Sequence, residues 1–412
     1  MTITYLLPVF FKSDFYFRRL RLTVLLWAGL GVAAGSSCTK DDAPLTETPV
    51  APETHLVSST LIGEYSTTAL AGRVSTIPIA GALVRYPIRV YKLTYTTRNT
   101  DGQSVTASGA LLVPVTTAAL PLLSYQHGTI RPDDEDRAPS YYSTSSEVYS
   151  AVSVLASTGY IVSAPDYLGY GASKALPHPY EHGESLASAS LDMLRAAKEF
   201  CEKEKVTLNK KNFLLGYSEG GYATMALHKL MEEKHATEFT VTASAPGAGA
   251  YHKSAFADYI LASTQPLNFL STYVWVLDTY NRVYGINRPL TYYYNPPYAA
   301  QLQANPFSAV PDRANELFTT GFRTGILNKA DAPMAAAFRA NDLHDWKPKA
   351  PLALFHGTAD DYVPYFNSEN TYRAMRARGA TQVSLHPIQG GNHFTSVAQY
   401  TLEALGFITQ YY

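Results

Sequence analysis

Phe213-Leu214-Leu215-Gly216-Tyr217-Ser218-Glu219-Gly220-Gly221-Tyr222 is the stretch whose reading decides the fold. An apolar, strand-like run ends on a Gly-x-Ser-x-Gly and passes without a spacer into a helical run over 222–233. A chain that turns from strand to helix this abruptly holds the residue at the apex in a strained conformation, with its side chain exposed. Side chains at 216 or 220 would collide with neighbouring backbone, so glycine flanks the serine. Gly221 and Ala223 let the helix approach the strand closely. Alone, the five-residue pattern is common. Between a strand and a helix it is specific, and it marks Ser218 as a candidate nucleophile.

Working outward, the segments 86–97 and 104–113 are strand-like and flank a polar turn at Asn99, Thr100, Asp101 and Gly102, which predicts a hairpin. Short apolar strands follow at 120–126, 160–164, 213–216, 240–245, 352–355 and 383–387. They alternate with helical segments such as the one carrying Leu186, Ala189, Met193, Ala197 and Phe200. The alternation predicts an α/β fold: a mostly parallel central sheet with helices on both faces and an antiparallel pair at its start. The core is expected in two parts, 56–252 and 351–412. Residues 253–350 break the rhythm, at a length far beyond an ordinary connection. They are rich in Tyr, Asn and Pro, including Tyr292, Tyr293, Tyr294, Pro296 and Pro297, with helical patterns over 256–279 and 312–327. We read them as a cap over the site, before the acid-bearing strand, because loops at the carboxyl ends of such strands surround the ligand crevice. An inserted domain unconnected with substrate is the alternative.

The 412 residues are 46% hydrophobic and 16% charged, ample for one large α/β domain with an insertion. A formal charge of −1 offers no basic face to neutralise phosphates, so no nucleic-acid partner is expected. The 31 tyrosines read as packing first and substrate surface second.

The N-terminus carries its own signal. Arg18, Arg19 and Arg21 precede an apolar run over 22–34, well short of the roughly 20 residues that span a bilayer. Small residues Gly35, Ser36 and Ser37 then lead into Cys38, so 1–37 reads as a signal peptide. The junction resembles a bacterial lipobox, which implies lipidation at Cys38. Lys40, Asp41 and Asp42 resemble the export tag of surface lipoproteins in some Gram-negative bacteria. The expectation is an exported protein, held to the outer membrane by its lipid and exposed at the cell surface, with 38–55 as a flexible tether. An unmodified cysteine within a leader is the alternative. If Cys38 is lipidated, the second cysteine, Cys201, has no partner, and it reads as a small core residue.

A serine hydroxyl needs a base, and the base an acid to orient it. Downstream stand His356-Gly357-Thr358-Ala359-Asp360-Asp361-Tyr362-Val363-Pro364 and Gly390-Gly391-Asn392-His393-Phe394, each after a predicted strand. Together with the serine turn they resemble α/β hydrolases, where the chain order is serine, acid, histidine. The resemblance implies a triad of Ser218, Asp360 and His393, with Asp361 the runner-up for the acid. Tyr125-Gln126-His127-Gly128-Thr129 matches the turn that in this fold supplies one N–H to the tetrahedral oxyanion. The resemblance thus implies Thr129 and Glu219 as the two backbone donors of the oxyanion hole. Asp166 precedes the nucleophile, out of order for the triad acid, and reads as a loop stabiliser. His178 and His182 flank Pro179-Tyr180-Glu181 without a third ligand in sight, so a packing or loop-bonding role is expected and no metal.

Over 86–410 the set is similar to the secretory lipase family, which implies hydrolysis of acylglycerols and simpler esters without a cofactor. The chain is expected to be a monomer acting on a small-molecule or lipid ester. Two features depart from that family: a carboxylate, Glu219, directly after the nucleophile, and a cap rich in tyrosine. Ser218-x-Gly220-Gly221-Tyr222 also resembles prolyl-oligopeptidase-type peptidases, which would need a large N-terminal domain. The third reading is a catalytically idle, surface-binding lipoprotein on a hydrolase scaffold.

Overall fold

In a computed structural model, which describes residues 54–75 and 78–412, nine strands form one sheet in the order β1-β2-β3-β5-β4-β6-β7-β8-β9. They are β1 (Leu56–Tyr65), β2 (Ile88–Arg98), β3 (Ser104–Pro114), β4 (Leu120–Gln126), β5 (Ile161–Pro165), β6 (Leu208–Tyr217), β7 (Val241–Gly247), β8 (Leu352–Gly357) and β9 (Val383–Ile388). From β5 to β9 every neighbouring pair is parallel. β1, β2 and β3 run antiparallel to their neighbours, and β3 joins β5 antiparallel. This is the α/β-hydrolase fold. The signal peptide, Cys38 and all of the expected tether except His55 with its preceding residue lie outside the described residues.

The antiparallel start is larger than the expected pair, because β1 adds an edge strand. Its residues are mostly exposed or half-buried, so it lacks the clean apolar alternation that marked the others. It is nonetheless pinned: Glu199 accepts the backbone N–H groups of His55 and Leu56 at 2.7–3.1 Å.

Helices α1 (Thr67–Arg73), α2 (Pro78–Ala82), α3 (Ala151–Ser157), α4 (Gly183–Lys203) and α5 (Glu219–Lys234) precede or interleave the parallel strands. Successive strand side chains point to opposite faces and so feed two cores. Phe213, Leu215 and Tyr217 pack with Val152 and Leu155 of α3 and with the C-terminal helix residues Tyr400 and Ile408. Leu214 packs on the other side, with Leu191, Leu194 and Phe200 of α4 and Leu227 of α5.

Between β7 and β8 run α6 (Lys253–Ala262), α7 (Leu270–Val283), α8 (Leu290–Tyr293), α9 (Tyr298–Ala304), α10 (Ala314–Leu317), α11 (Thr320–Leu327) and α12 (Ala332–Ala340); α13 (Phe366–Ala377) and α14 (Val397–Thr409) complete the chain. The insertion has its own core, built around Ile260, Val274, Leu277, Phe318 and Phe322. The helix expected over 256–279 is two helices. Pro266 lies between them, and proline removes a helical donor and disfavours helix at the residue before it. The one expected over 312–327 is likewise α10 and α11, separated where Thr319 turns outward to cap Phe322 N–H.

Candidate active site

Three parallel strands end at one edge of the sheet, and each delivers one functional side chain there. Ser218 follows β6, with φ 62° and ψ −124°, left-handed values that a non-glycine residue adopts only where the surroundings enforce them. Enforcement is visible on both sides. Ser218 N–H donates to Gly247 O on β7 at 2.9 Å, and a Cβ on Gly220 would run into the Gln126 carbonyl. The cost of the turn is thus held by packing against β4 and β7.

Asp360 follows β8 and His393 follows β9. The two loops are laced together: Ala359 N–H donates to Gly391 O at 3.0 Å, and Gly390 N–H to Thr358 Oγ1 at 2.9 Å. His393 Nε2 lies 2.9 Å from Ser218 Oγ, and its Nδ1 lies 2.8 Å from Asp360 Oδ2. Tyr217 Oη donates to the His393 carbonyl at 2.7 Å, and Tyr362 stacks on the imidazole with centroids 5.0 Å apart. Asp361, the alternative acid, is exposed and accepts from Asn268 Nδ2 at 3.0 Å.

The Asp360 carboxylate is buried, and burial alone would raise its pKa. Hydrogen bonds from His356 and His393 outweigh that and hold it well below the usual carboxylate range. Its second oxygen accepts the backbone N–H groups of Tyr362 at 2.9 Å and Val363 at 2.8 Å. His356 has a place in this network too. It is the last-but-one residue of β8, fully buried, with Nε2 3.3 Å from Asp360 Oδ2. A histidine four residues before the acid was the available signal.

Thr129 and Glu219, the expected backbone donors, stand at the turn after β4 and at the first residue of α5. Among the described residues no side chain accepts from either N–H, whereas Gly128 N–H is directed at Glu147 at 3.3 Å. His127 is a turn residue, with Nδ1 on Gly128 O and Nε2 on Asp166 O. Asp166 ties the loops by accepting from Ser108 Oγ and Ser140 N–H.

The carboxylate beside the nucleophile has a partner that sequence reasoning missed. Glu219 Oε1 lies 2.8 Å from His178 Nε2, both side chains fully buried, and His178 Nδ1 reaches Leu168 O at 2.6 Å. With one ring nitrogen on a carbonyl, the other faces the carboxylate, and the contact fixes where the Glu219 side chain lies. His182 does not join it; the ring caps α4 by accepting Ser185 N–H. A second buried acid, Glu181, pairs with Lys253 at the start of α6. Burial pushes the Glu181 carboxyl up and the Lys253 ammonium down, each opposed by the other's charge.

Above Ser218 is a cavity of about 20 Å³, lined by Glu181, Phe256, Phe269, Thr272, Tyr273 and Val276 among others. The insertion supplies half of that lining, through α6, α7 and the residue before α7, and Tyr180, Glu181, Tyr362 and Val363 join Ser218 on the other side. Tyr292, Tyr293 and Tyr294, the aromatic cluster of the insertion, do not line it. Tyr293 and Tyr294 are buried in the insertion's own core, and Tyr292 Oη donates to Asp331 at 3.1 Å.

The secretory lipase family model matches residues 138–412. Among curated proteins none matches the chain. Among solved structures, a candidate hydrolase from Legionella pneumophila superposes with a TM-score of 0.78 at 27% identity, covering 87% of this chain and 98% of the other. The rice cell wall degrading esterase LipA from Xanthomonas oryzae gives 0.73 at 27% identity, covering 86% and 96%. Candida antarctica lipase A in its closed state shares the fold, with a TM-score of 0.64 at 19% identity over 86% and 81% of the two chains.

Proposed function

The chain belongs to the secretory lipase family, and from that premise we propose that it hydrolyses carboxylic esters by acyl transfer through Ser218, His393 and Asp360. The observation that carries this reading is the hydrogen-bonded line from Ser218 Oγ through both nitrogens of His393 to Asp360 Oδ2. Ser218 attacks the ester carbonyl while His393 Nε2 takes its proton; Asp360 holds the tautomer that leaves Nε2 free and stabilises the imidazolium. The tetrahedral oxyanion is met by the N–H groups of Thr129 and Glu219. His393 then protonates the departing alcohol, and water, activated by the same imidazole, releases the acid from Ser218. The contact with His178 turns the Glu219 carboxylate to a buried partner while its backbone N–H serves that oxyanion.

Residues 253–350 act as the cap. A cavity of about 20 Å³ holds roughly one water, so an ester enters only when α6, α7 or their side chains give way. The apolar lining from Phe256, Phe269 and Val276 suits an acyl chain and excludes water from the oxyanion contacts. Likeness to an esterase and to lipases favours esters over peptides. It gives no support to an idle binding role.

The family's secretory character goes with export. We extend it to a lipid anchor at Cys38 on the outer membrane and to a monomeric, cofactor-free enzyme, on the strength of the sequence pattern. The test is Ser218→Ala with a chromogenic ester and a fluorophosphonate probe. The variant should keep its fold, lose at least about 10³-fold in kcat and escape labelling; full activity or labelling at another residue refutes the mechanism.

A further inference from the structure

His252 and His344 face each other across the neck of the insertion. His252 immediately precedes α6, while Asp342 and His344 follow α12, so the chain entering the insertion meets the chain leaving it. The two imidazoles are stacked, with centroids 3.6 Å apart and planes 14° from parallel. A ring nitrogen from each and a carboxylate oxygen of Asp342 all lie within 4.8 Å of one another. We propose that His252, Asp342 and His344 bind one divalent transition-metal ion of the zinc type, which fastens the two ends of the insertion together.

Two imidazoles and one carboxylate suit Zn²⁺ and its neighbours in the first transition row, whereas Mg²⁺ and Ca²⁺ require an all-oxygen set. Three protein ligands leave the fourth tetrahedral position to water. His344 Nδ1 is buried and has no hydrogen-bond partner among the described residues, an orphan that a metal bond would satisfy. The ligand loops are already held in place. Asp342 accepts from Ser254 N–H at 3.0 Å and Ser254 Oγ at 2.7 Å, Leu343 N–H donates to Tyr251 O at 2.8 Å, and Asn370 Nδ2 stands 3.2 Å from His252 Nδ1. Such outer contacts orient metal ligands. Rotation of either ring about its Cβ–Cγ bond, a soft torsion for histidine, turns the parallel stack into converging lone pairs.

Access and charge agree. All three residues are half-buried, and Asp342 lies on the rim of an open cleft of about 520 Å³. Arg378, the cation that faces His344, is neutralised by Asp345. The ion would sit at the root of the insertion rather than over Ser218. It would fix where the insertion leaves and rejoins the sheet, and leave the part of α6 and α7 over the cavity free to move.

The test is calorimetric titration of the chelator-treated, desalted protein with zinc chloride, beside magnesium chloride. One Zn²⁺ per chain with a micromolar or tighter Kd, no heat with Mg²⁺, and a rise of several degrees in melting temperature on adding Zn²⁺ are expected. His344→Ala, which removes a ring whose Nδ1 holds nothing, should fold and bind Zn²⁺ at least about tenfold more weakly, and His252→Ala likewise. Absence of saturable binding below about 100 µM, or equal affinity in both variants and the parent, would overturn the assignment.

Discussion

Replacing Asp360 by asparagine tests the site at its most constrained atom. The carboxylate does two jobs: Oδ2 accepts from His393 Nδ1, and Oδ1 accepts two backbone N–H groups, from Tyr362 and Val363. In the asparagine variant the amide NH₂ cannot sit against two N–H donors, so the amide oxygen must take that side and the NH₂ must face His393. That orientation inverts the imidazole: Nδ1 becomes an acceptor, the proton moves to Nε2, and the ring can no longer take the Ser218 proton. A wrong tautomer at this position costs about 10⁴ in kcat, or roughly 5 kcal/mol of transition-state stabilisation. Asp361→Asn loses only a contact with exposed Asn268 and should stay within about twofold. The assay is kcat on a short-chain p-nitrophenyl ester for both variants, with circular dichroism to show that each is folded. Asp360→Asn retaining more than about a tenth of the parent rate, with Asp361→Asn crippled, would place the acid one residue later and break the argument.

Two further outcomes follow from where the insertion's side chains lie. Val276→Ala, on the lining of the cavity, should shift the ranking of p-nitrophenyl esters toward longer acyl chains at a cost on the order of 2 kcal/mol of stability, whereas Tyr294→Leu, in the insertion's core, should lower the melting temperature and leave the ranking unchanged. A ranking shift in the tyrosine variant alone would reverse these roles. At the N-terminus, Cys38→Ser should abolish incorporation of radiolabelled fatty acid during expression; labelling that persists would return the cysteine to an unmodified leader.

What was legible in the sequence was what is local. The turn at Ser218 is written in adjacent residues, because the glycines at 216 and 220 stand where a Cβ would strike β4 or α5. Asp360 and His393 sit in short glycine-containing loops after apolar strands, and the expected chain order picks them from several acids and histidines. β1 was illegible because an edge strand with exposed Val57 and Leu61 has no buried face to impose a period. The split of the long cap helix was signalled by Pro266 and overlooked. His178 against Glu219 and His252 against His344 could not be read at all, since each pairing is made by the fold between residues dozens of positions apart. The Tyr292–294 cluster was legible only as two alternatives: aromatic composition fits an inner core as well as a substrate wall, and only burial tells them apart.

The two buried acids near Ser218 are paired in different ways, and the difference bears on which parts of the insertion are tied to the sheet. Glu219 is paired with His178, which lies before β6 in the chain and outside the insertion, so that pair can persist whatever the insertion does. Glu181 is paired with Lys253, the first residue of α6, and Tyr280 of α7 donates to the Glu181 carbonyl at 3.0 Å. Withdrawing the first turn of α6 would part a buried carboxylate from Lys253, so this pair holds the root of the insertion in place beside His252. Breaking such a pair costs about 3–5 kcal/mol unless water reaches the stranded charge.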